Sequence, residues 1–361
     1  MKIGIIQSLV GAGGGNDMVL FSLIKAIQDK HQVTLYTTTK PLVDISKYKI
    51  KVKTLLPFRL KMFGLYQRVF DSKLAKKSIG NDLTIVLAGD MVIPATKTQK
   101  MIVYSQNNYE ELRIPVKYTK FPWKLYGMPY FKMAIKARKK IKQYNIDYIV
   151  PSEYIGQQVK LLLGSDSTVI NPPVNTKEFK VAEKTKQIMN VGRYSPEKGQ
   201  EFLVEATSKT KHILTLFGST SKATEYYYNK IAEKCNQLGY KCYVNEPRSI
   251  MIEELSKHKI FFAASAETFG IAVVEAMASG CIPIVPNNTA NRETVPYPAL
   301  RYAPNSPEDA AKKLNEAILG KHDHLLKLLY WKSKEFDESI FQEKFLKKIE
   351  SYENQHNNSS L

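Results

Sequence analysis

The sequence predicts an α/β chain of two doubly wound units with parallel sheets. Three observations carry that expectation. Short apolar strands alternate with helical patterns along all 361 residues. Several strands are unbroken β-branched runs without the alternation of a half-exposed sheet, so both of their faces are covered. Glycine-bearing loops that open helices follow strands directly, as a strand–helix–strand crossover requires.

In the first half, strands are predicted at 2–7, 32–37, 83–88, 101–104 and 148–150. In the second they are predicted at 187–191, 213–217, 241–244, 260–263 and 282–285. The halves share an order of elements but no internal sequence repeat. The segment 171–186, NPPVNTKEFKVAEKTK, carries Pro172, Pro173 and charge before a new strand, which makes it the boundary. The expected division is 1–170, 171–335 and a final segment 336–361. Within the last, Ile340, Phe341, Phe345, Leu346 and Ile349 fall on one helical stripe. The closing NQHNNSSL reads as a frayed tail.

Composition narrows the function. Cys235, Cys242 and Cys281 form no paired framework, and no C-x-x-C occurs, so a disulfide scaffold, a zinc ribbon and a thioredoxin motif are all excluded. The longest uncharged run, 276–291, is interrupted by Gly280, Pro283 and Pro286, too short and broken for a bilayer span. The N-terminal MKIGIIQSLVGAGGG reads as a buried strand and glycine loop rather than a secretory signal. Of the net charge of +19, residues 1–170 hold +16, from 27 Lys and Arg against 11 Asp and Glu. The first half therefore faces something anionic: nucleic acid, an acidic membrane or a phosphorylated substrate.

Four motifs bear chemistry. The loop GAGGGND, Gly11 to Asp17, fits neither the dinucleotide fingerprint, which needs glycine where Asn16 stands, nor a Walker loop, but its amides can approach phosphate at a helix expected to open near Asp17. A tight strand–helix turn is the other reading. After the strand ending at Val191, Gly192 turns the chain and Arg193 and Lys198 stand in the loop, two cations suited to a diphosphate. A solvated charged loop is the competing reading. In ETFGIAVVEAMASGCIPIV, Glu267 precedes a helix and Glu275 lies about one turn inside it, so both can face one crevice. The amides of Phe269, Gly270 and Ile271 lie at that helix N-terminus. A carboxylate within AVVEAMA is costly unless partnered, by ligand hydroxyls or by backbone amides. The fourth stretch, 113–146, has ten Lys and Arg, seven aromatic residues and no acid, with a helix expected after Pro129. An anionic membrane interface, single-stranded nucleic acid or a solvated basic helix would each suit it. No D-x-D occurs, and His322 and His324 read as exposed surface rather than a metal site.

Gly13-Gly14-Gly15, Asn171-Pro172-Pro173-Val174-Asn175, Gly192-Arg193 with Glu197-Lys198-Gly199, and Glu267-x7-Glu275 with Phe269-Gly270 resemble retaining glycosyltransferases of family 4, the glycosyl transferases group 1. The resemblance runs over essentially the whole chain. It implies the GT-B architecture of two facing Rossmann-like domains, acceptor-binding then nucleotide-sugar-binding, with a C-terminal helix crossing back to the first. It also implies metal-independent transfer of a hexose from a nucleotide sugar, with retention and without a cofactor. Arg193, Lys198 and Glu267 would be catalytic. Gly14, Gly15, Gly192, Arg248, Phe269, Gly270, Ile271 and Glu275 would join them in binding the donor, Glu275 at the ribose hydroxyls and Arg248 near the base. UDP-glucose or another UDP-hexose is the expected donor, with GDP-mannose as the alternative. A lipid-linked glycan at the cytoplasmic membrane face is the expected acceptor. Two positions depart from the family: Gln106 and Asn107 stand near where many members carry an acceptor-side histidine, and Asn175 replaces the usual aspartate. Outside the family, a basic nucleic-acid-binding α/β protein is the competing reading, but it gives Glu267 and Glu275 no role. A nicotinamide-dependent oxidoreductase is disfavoured by the failed fingerprint.

Overall fold

The computed structural model describes residues 1–58, 72–87, 92–106 and 121–358. The chain divides into two compact units, Met1–Pro173 with Ser339–Leu361, and Val174–Glu338.

The first unit carries a fully parallel seven-stranded sheet of order β3-β2-β1-β4-β5-β6-β7. Its strands are β1 (Lys2–Ile6), β2 (Gln32–Thr37), β3 (Ile50–Thr54), β4 (Leu83–Val86), β5 (Met101–Tyr104), β6 (Asp147–Val150) and β7 (Ser167–Val169). Continuous apolar runs end up covered on both faces, and every residue of β4 and β5 is buried. Its described helices include α1 (Gly15–Ile27), α2 (Trp123–Ile141) and α3 (Glu153–Leu163). The expected start of α1 moves two residues earlier, because Gly14, at φ 93°, ends the loop there. The expected start of α2 moves from beyond Pro129 back to Trp123, with Pro129 inside the helix. A proline forfeits one backbone hydrogen bond and crowds the preceding turn but does not forbid a helix that packing supports, and Gly127, Tyr130 and Ala134 bury one face of α2.

The second unit carries a parallel six-stranded sheet of order β10-β9-β8-β11-β12-β13. Its strands are β8 (Lys186–Val191), β9 (Leu214–Gly218), β10 (Lys241–Val244), β11 (His258–Phe262), β12 (Ile282–Pro286) and β13 (Arg301–Tyr302). Its helices are α4 (Gln200–Ser208), α5 (Glu225–Gln237), α6 (Arg248–Lys257), α7 (Ile271–Ala278), α8 (Asn291–Thr294), α9 (Pro307–Ile318) and α10 (Leu326–Lys334). The last helix, α11 (Glu338–Asn358), begins beside β-bridged Val174 and then packs Phe341, Phe345 and Ile349 into the core of the first unit against Ile3, Leu20 and Tyr104. The Tyr352 hydroxyl donates to Asp147 at 2.9 Å and Lys348 pairs with it at 2.6 Å.

In both sheets the strand order reverses once, between β1 and β4 and between β8 and β11, with all strands parallel. Neighbouring loops leave the carboxyl ends of the strands in opposite directions at such a point, opening a crevice where doubly wound sheets take ligands. Half-buried Lys184 ties the second unit together from the other side. Its ammonium donates to the Ser256 carbonyl at 2.7 Å and the Ser279 carbonyl at 2.6 Å, at the carboxyl ends of α6 and α7. His322, expected at the surface, is buried, while His324 is exposed. The His322 ring lies 3.8 Å from Glu316, and Leu325, three residues on, is buried with it.

Candidate active site

In the second unit the loop after β8 is fixed by its backbone. Gly192 N–H donates to the Phe217 carbonyl at 3.0 Å and Tyr194 N–H to the Ser219 carbonyl at 2.9 Å. The buried Tyr194 hydroxyl donates to the carbonyls of Leu216 and Tyr243. The 3-10 turn Pro196–Lys198 follows, closed by Gly199 at φ 69°. Glycine is needed there twice over: the conformation is left-handed, and a Cβ would lie 2.9 Å from that of Ala264. Gln200 donates to the Arg193 carbonyl at 2.8 Å, so the backbone of Arg193 is held while its side chain is 71% exposed, with Glu197 at 3.7 Å. An exposed pair at that distance contributes little, and the guanidinium stays available to a ligand.

Lys198 is differently placed. Its ammonium donates to Glu267 Oε1 at 2.7 Å, and Ser265 Oγ donates to the same oxygen. Among the described residues no hydrogen bond reaches Oε2 of Glu267. Burial pushes this carboxyl up, but Lys198, Ser265 and Arg193 outweigh it and hold it below the usual carboxylate range. The loop is pinned behind Glu267 by the fully buried Asn291, whose amide donates to the Ser265 carbonyl at 3.1 Å, and by Ala290 N–H, which donates to the Glu267 carbonyl at 3.3 Å. Asn291 Oδ1 is buried with no partner among the described residues and lies near Gly270.

Phe269 is buried against Phe336, with ring centroids 5.1 Å apart, and its carbonyl accepts from Thr294 Oγ1 at 2.6 Å. Gly270, at φ 97°, then opens α7. The first amides of a helix have no carbonyl of their own helix to bind, which leaves those of Ile271 and Ala272 as donors, while Val273 N–H already donates to the Gly270 carbonyl at 3.0 Å. Glu275, within α7, keeps only 6% of its side chain exposed and accepts from Arg248 Nη2 at 2.8 Å on Oε1. Here burial exceeds the pull of Arg248, and the carboxyl sits above its usual range. Arg248, the first residue of α6, also bonds Glu178.

The structure thus brings Arg193, Lys198, Glu267, Gly270 and Glu275 onto loops and a helix start at the carboxyl ends of β8 and β11, the two strands that flank the reversal. Sequence reasoning missed Ser265, Asn291 and Glu178. Only Ser265, two residues before Glu267, left a local signal.

In the first unit the glycine loop follows β1. Asp17, buried in the first turn of α1, fills it: its carboxylate accepts from Gly13 N–H at 2.6 Å, Gly11 N–H at 3.1 Å and the Gln7 amide at 3.1 Å. The amides from Gly14 onward are the ones left for a ligand. Gly13 and Gly14 have positive φ, and a Cβ on either would meet nothing within 4 Å, so backbone conformation rather than space demands glycine there. Gln106, just beyond β5, is half-buried, and its Nε2 has no partner among the described residues. Asn107 lies outside the described residues. Among the described residues no group of three His, Cys, Asp or Glu side chains could hold a metal ion.

Residues 173–328 match the profile of the family described as glycosyl transferases group 1. The second unit is therefore similar to the group 1 glycosyltransferase domain. Among curated proteins, no sequence matches the chain. A solved glycosyltransferase from Rickettsia africae is similar at 18% identity and a TM-score of 0.71, over 97% of this chain and 98% of that one. A sucrose-phosphate synthase from Thermosynechococcus elongatus is similar at 14% identity and a TM-score of 0.77, over 97% and 98% of the two chains. HepE from Anabaena, solved in complex with UDP and glucose, is similar at 15% identity and a TM-score of 0.71, over 97% and 100%. At these identities the likeness establishes the fold, and the doubly wound α/β class expected from the sequence is the fold of these GT-B glycosyltransferases.

Proposed function

We propose that the chain is a retaining glycosyltransferase of family 4, moving a hexose from a UDP-sugar to a glycan acceptor. The observation that carries this is the set Arg193, Lys198, Glu267 and Glu275 at the strand ends where the sheet of the second unit reverses. Arg193 and Lys198 supply two positive charges where a leaving diphosphate would build negative charge, and positions held in advance make such charges effective. Glu267, held through one oxygen by Lys198 and Ser265, offers its other oxygen to hydroxyls of the transferred sugar. The amides from Gly270 onward add donors at a helix N-terminus. Glu275 takes the ribose hydroxyls. Front-face displacement, with the donor phosphate taking the acceptor proton, needs no protein base, which suits a chain whose sequence has Gln106 and Asn107 where many members of the family carry an acceptor-side histidine.

UDP-glucose or another UDP-hexose is the favoured donor, supported by the UDP and glucose bound to HepE, with GDP-mannose as the alternative. The first unit takes the acceptor, a lipid-linked glycan at the cytoplasmic membrane face in protein or cell-surface glycosylation. No helix among the described residues is long and apolar enough to cross a membrane, so this reading makes the attachment peripheral. It rests on α2, where Lys124, Lys132, Lys136, Lys139 and Lys140 share the exposed surface with Trp123, Leu125 and Ile135.

The test is turnover of UDP- and GDP-sugars, scored by nucleotide release. Arg193→Ala and Lys198→Ala should each lower turnover by ~10²-fold or more with the fold intact, as for loss of one preorganised charge-stabilising group. Activity should survive EDTA. Near-normal turnover in both variants, or loss in EDTA restored by Mn²⁺, would overturn the reading.

A further inference from the structure

Glu275 poses a problem of placement. It is a carboxylate on an otherwise apolar helix, nearly all of it out of solvent. Such a group needs compensation. Among the described residues the compensation comes from one direction. Arg248 Nη2 reaches Oε1 at 2.8 Å, and no hydrogen bond reaches Oε2.

Arg248 is itself built in. Its Nε and Nη2 both donate to Glu178 Oε2, at 3.2 and 3.1 Å. Glu178 closes the 3-10 turn Thr176–Glu178, and the next residue, buried Phe179, presents its ring with the centroid 5.6 Å from the guanidinium carbon. Three side chains from two separate pieces of chain therefore converge on one guanidinium. An arginine with only a surface role would not be given a carboxylate anchor, an aromatic face and a buried carboxylate together. Lysine could not serve all three, since it lacks the planar fork.

We propose that Arg248 is a positioning residue for the nucleotide ribose: anchored on Glu178 and Phe179, it grips Glu275 by Oε1 and so presents Oε2 to the ribose diol. This rests on the reading of Glu275 as the ribose acceptor. It gives Arg248 a role apart from the base, and a place for Glu178 that the sequence did not suggest. The charges that act on Glu275 are Arg248, from the start of α6, which lowers its pKa, and Glu178, from the 3-10 turn, which raises it. Burial raises it further and prevails. Without Arg248, both remaining influences push the carboxyl toward its neutral form, which is a poorer acceptor for two hydroxyls.

The experiment titrates the full chain with UDP and with 2′,3′-dideoxy-UDP, by calorimetry. Arg248→Met should weaken UDP about tenfold or more, as expected for disturbing hydrogen bonds to a charged group, and leave the dideoxy nucleotide within about twofold. The acidic limb of UDP affinity should move to higher pH in this variant. Arg248→Lys should recover part of the loss, and Glu178→Gln, which loosens the anchor of Arg248, should weaken UDP more mildly. Equal losses for both nucleotides would show a merely structural effect and overturn the proposal. If wild type binds the two nucleotides equally, the ribose role of Glu275 falls, and the proposal with it. If wild type binds neither UDP nor GDP, the donor reading itself is wrong.

Discussion

Glu267 and Glu275 are eight positions apart, and burial acts on them with opposite net results. Glu267 ends below the usual range because Lys198 and Ser265 overcome burial. Its pairing therefore stabilises the fold at neutral pH, and that contribution is lost as pH falls through the depressed pKa. Glu275 ends above the usual range. The folded state then holds its proton more tightly than the unfolded chain, so above the ordinary pKa of about 4.3 its ionised form costs stability. Glu275→Gln keeps the shape and removes the charge, and half-exposed Arg248 retains Glu178. The free variant should melt no lower than wild type at neutral pH, and higher if burial is the larger cost. Its advantage should shrink as pH falls toward the ordinary carboxylate pKa, while UDP binding is lost throughout. Melting followed across pH, beside UDP titration, checks this, and a large drop in melting temperature at neutral pH would contradict the balance inferred here. The two carboxylates were legible from their spacing around Gly270. Their partners were not, because Lys198 and Arg248 are 69 and 27 residues away and meet them only through the sheet.

Among the elements, the loop after β8 depends on how closely two strand ends approach. Gly218, the last residue of β9, sits against the loop so that a Cβ would lie 2.0 Å from the Gly192 carbonyl oxygen and 3.1 Å from the Tyr194 ring. The nearest atom is backbone and has no rotamer to give. Gly218→Ala must therefore displace the Gly192–Lys198 loop, an overpacking that typically costs ~1–3 kcal/mol. Denaturant unfolding should show that loss, and UDP affinity should fall with it. An unchanged midpoint with unchanged affinity would mean the loop yields freely. The buried strands could be read almost to the residue, since an apolar run such as IPIV has no other use than a two-sided core. Three strands were not foreseen. β3 exposes Lys51, Val52 and Lys53, β7 has three residues and β13 two, and each lies at or beside a sheet edge where no continuous apolar run is required.

Across the whole molecule, the two-sheet plan follows from strand–helix alternation, while the uneven charge follows from no requirement of folding. Residues 1–170 carry +16 of the total +19. Acid-free α2 concentrates it: the outer surface bears Lys132, Lys136, Lys139 and Lys140, and its first turn exposes Trp123 and Leu125 beside Phe121. An isolated cationic helix would favour water all round, whereas apolar side chains left exposed at one end beside a lysine stripe suit a headgroup layer. Each cation near an anionic surface contributes about 1 kcal/mol, falling off within a Debye length. Three or four in contact give useful attachment, and Trp123 and Leu125 add interfacial burial. The protein should sediment with anionic vesicles at low salt, release as salt rises and ignore neutral ones. Lys136, Lys139 and Lys140 changed together to Glu should abolish sedimentation, while Leu125→Asp should weaken it with little change in salt dependence. A surface built for single strands would behave otherwise, taking RNA tightly through the same lysines with a steep salt slope and leaving Leu125 without effect. That outcome, with anionic vesicles ignored at low salt, would remove the membrane reading and make the charge of the first unit a nucleic-acid surface.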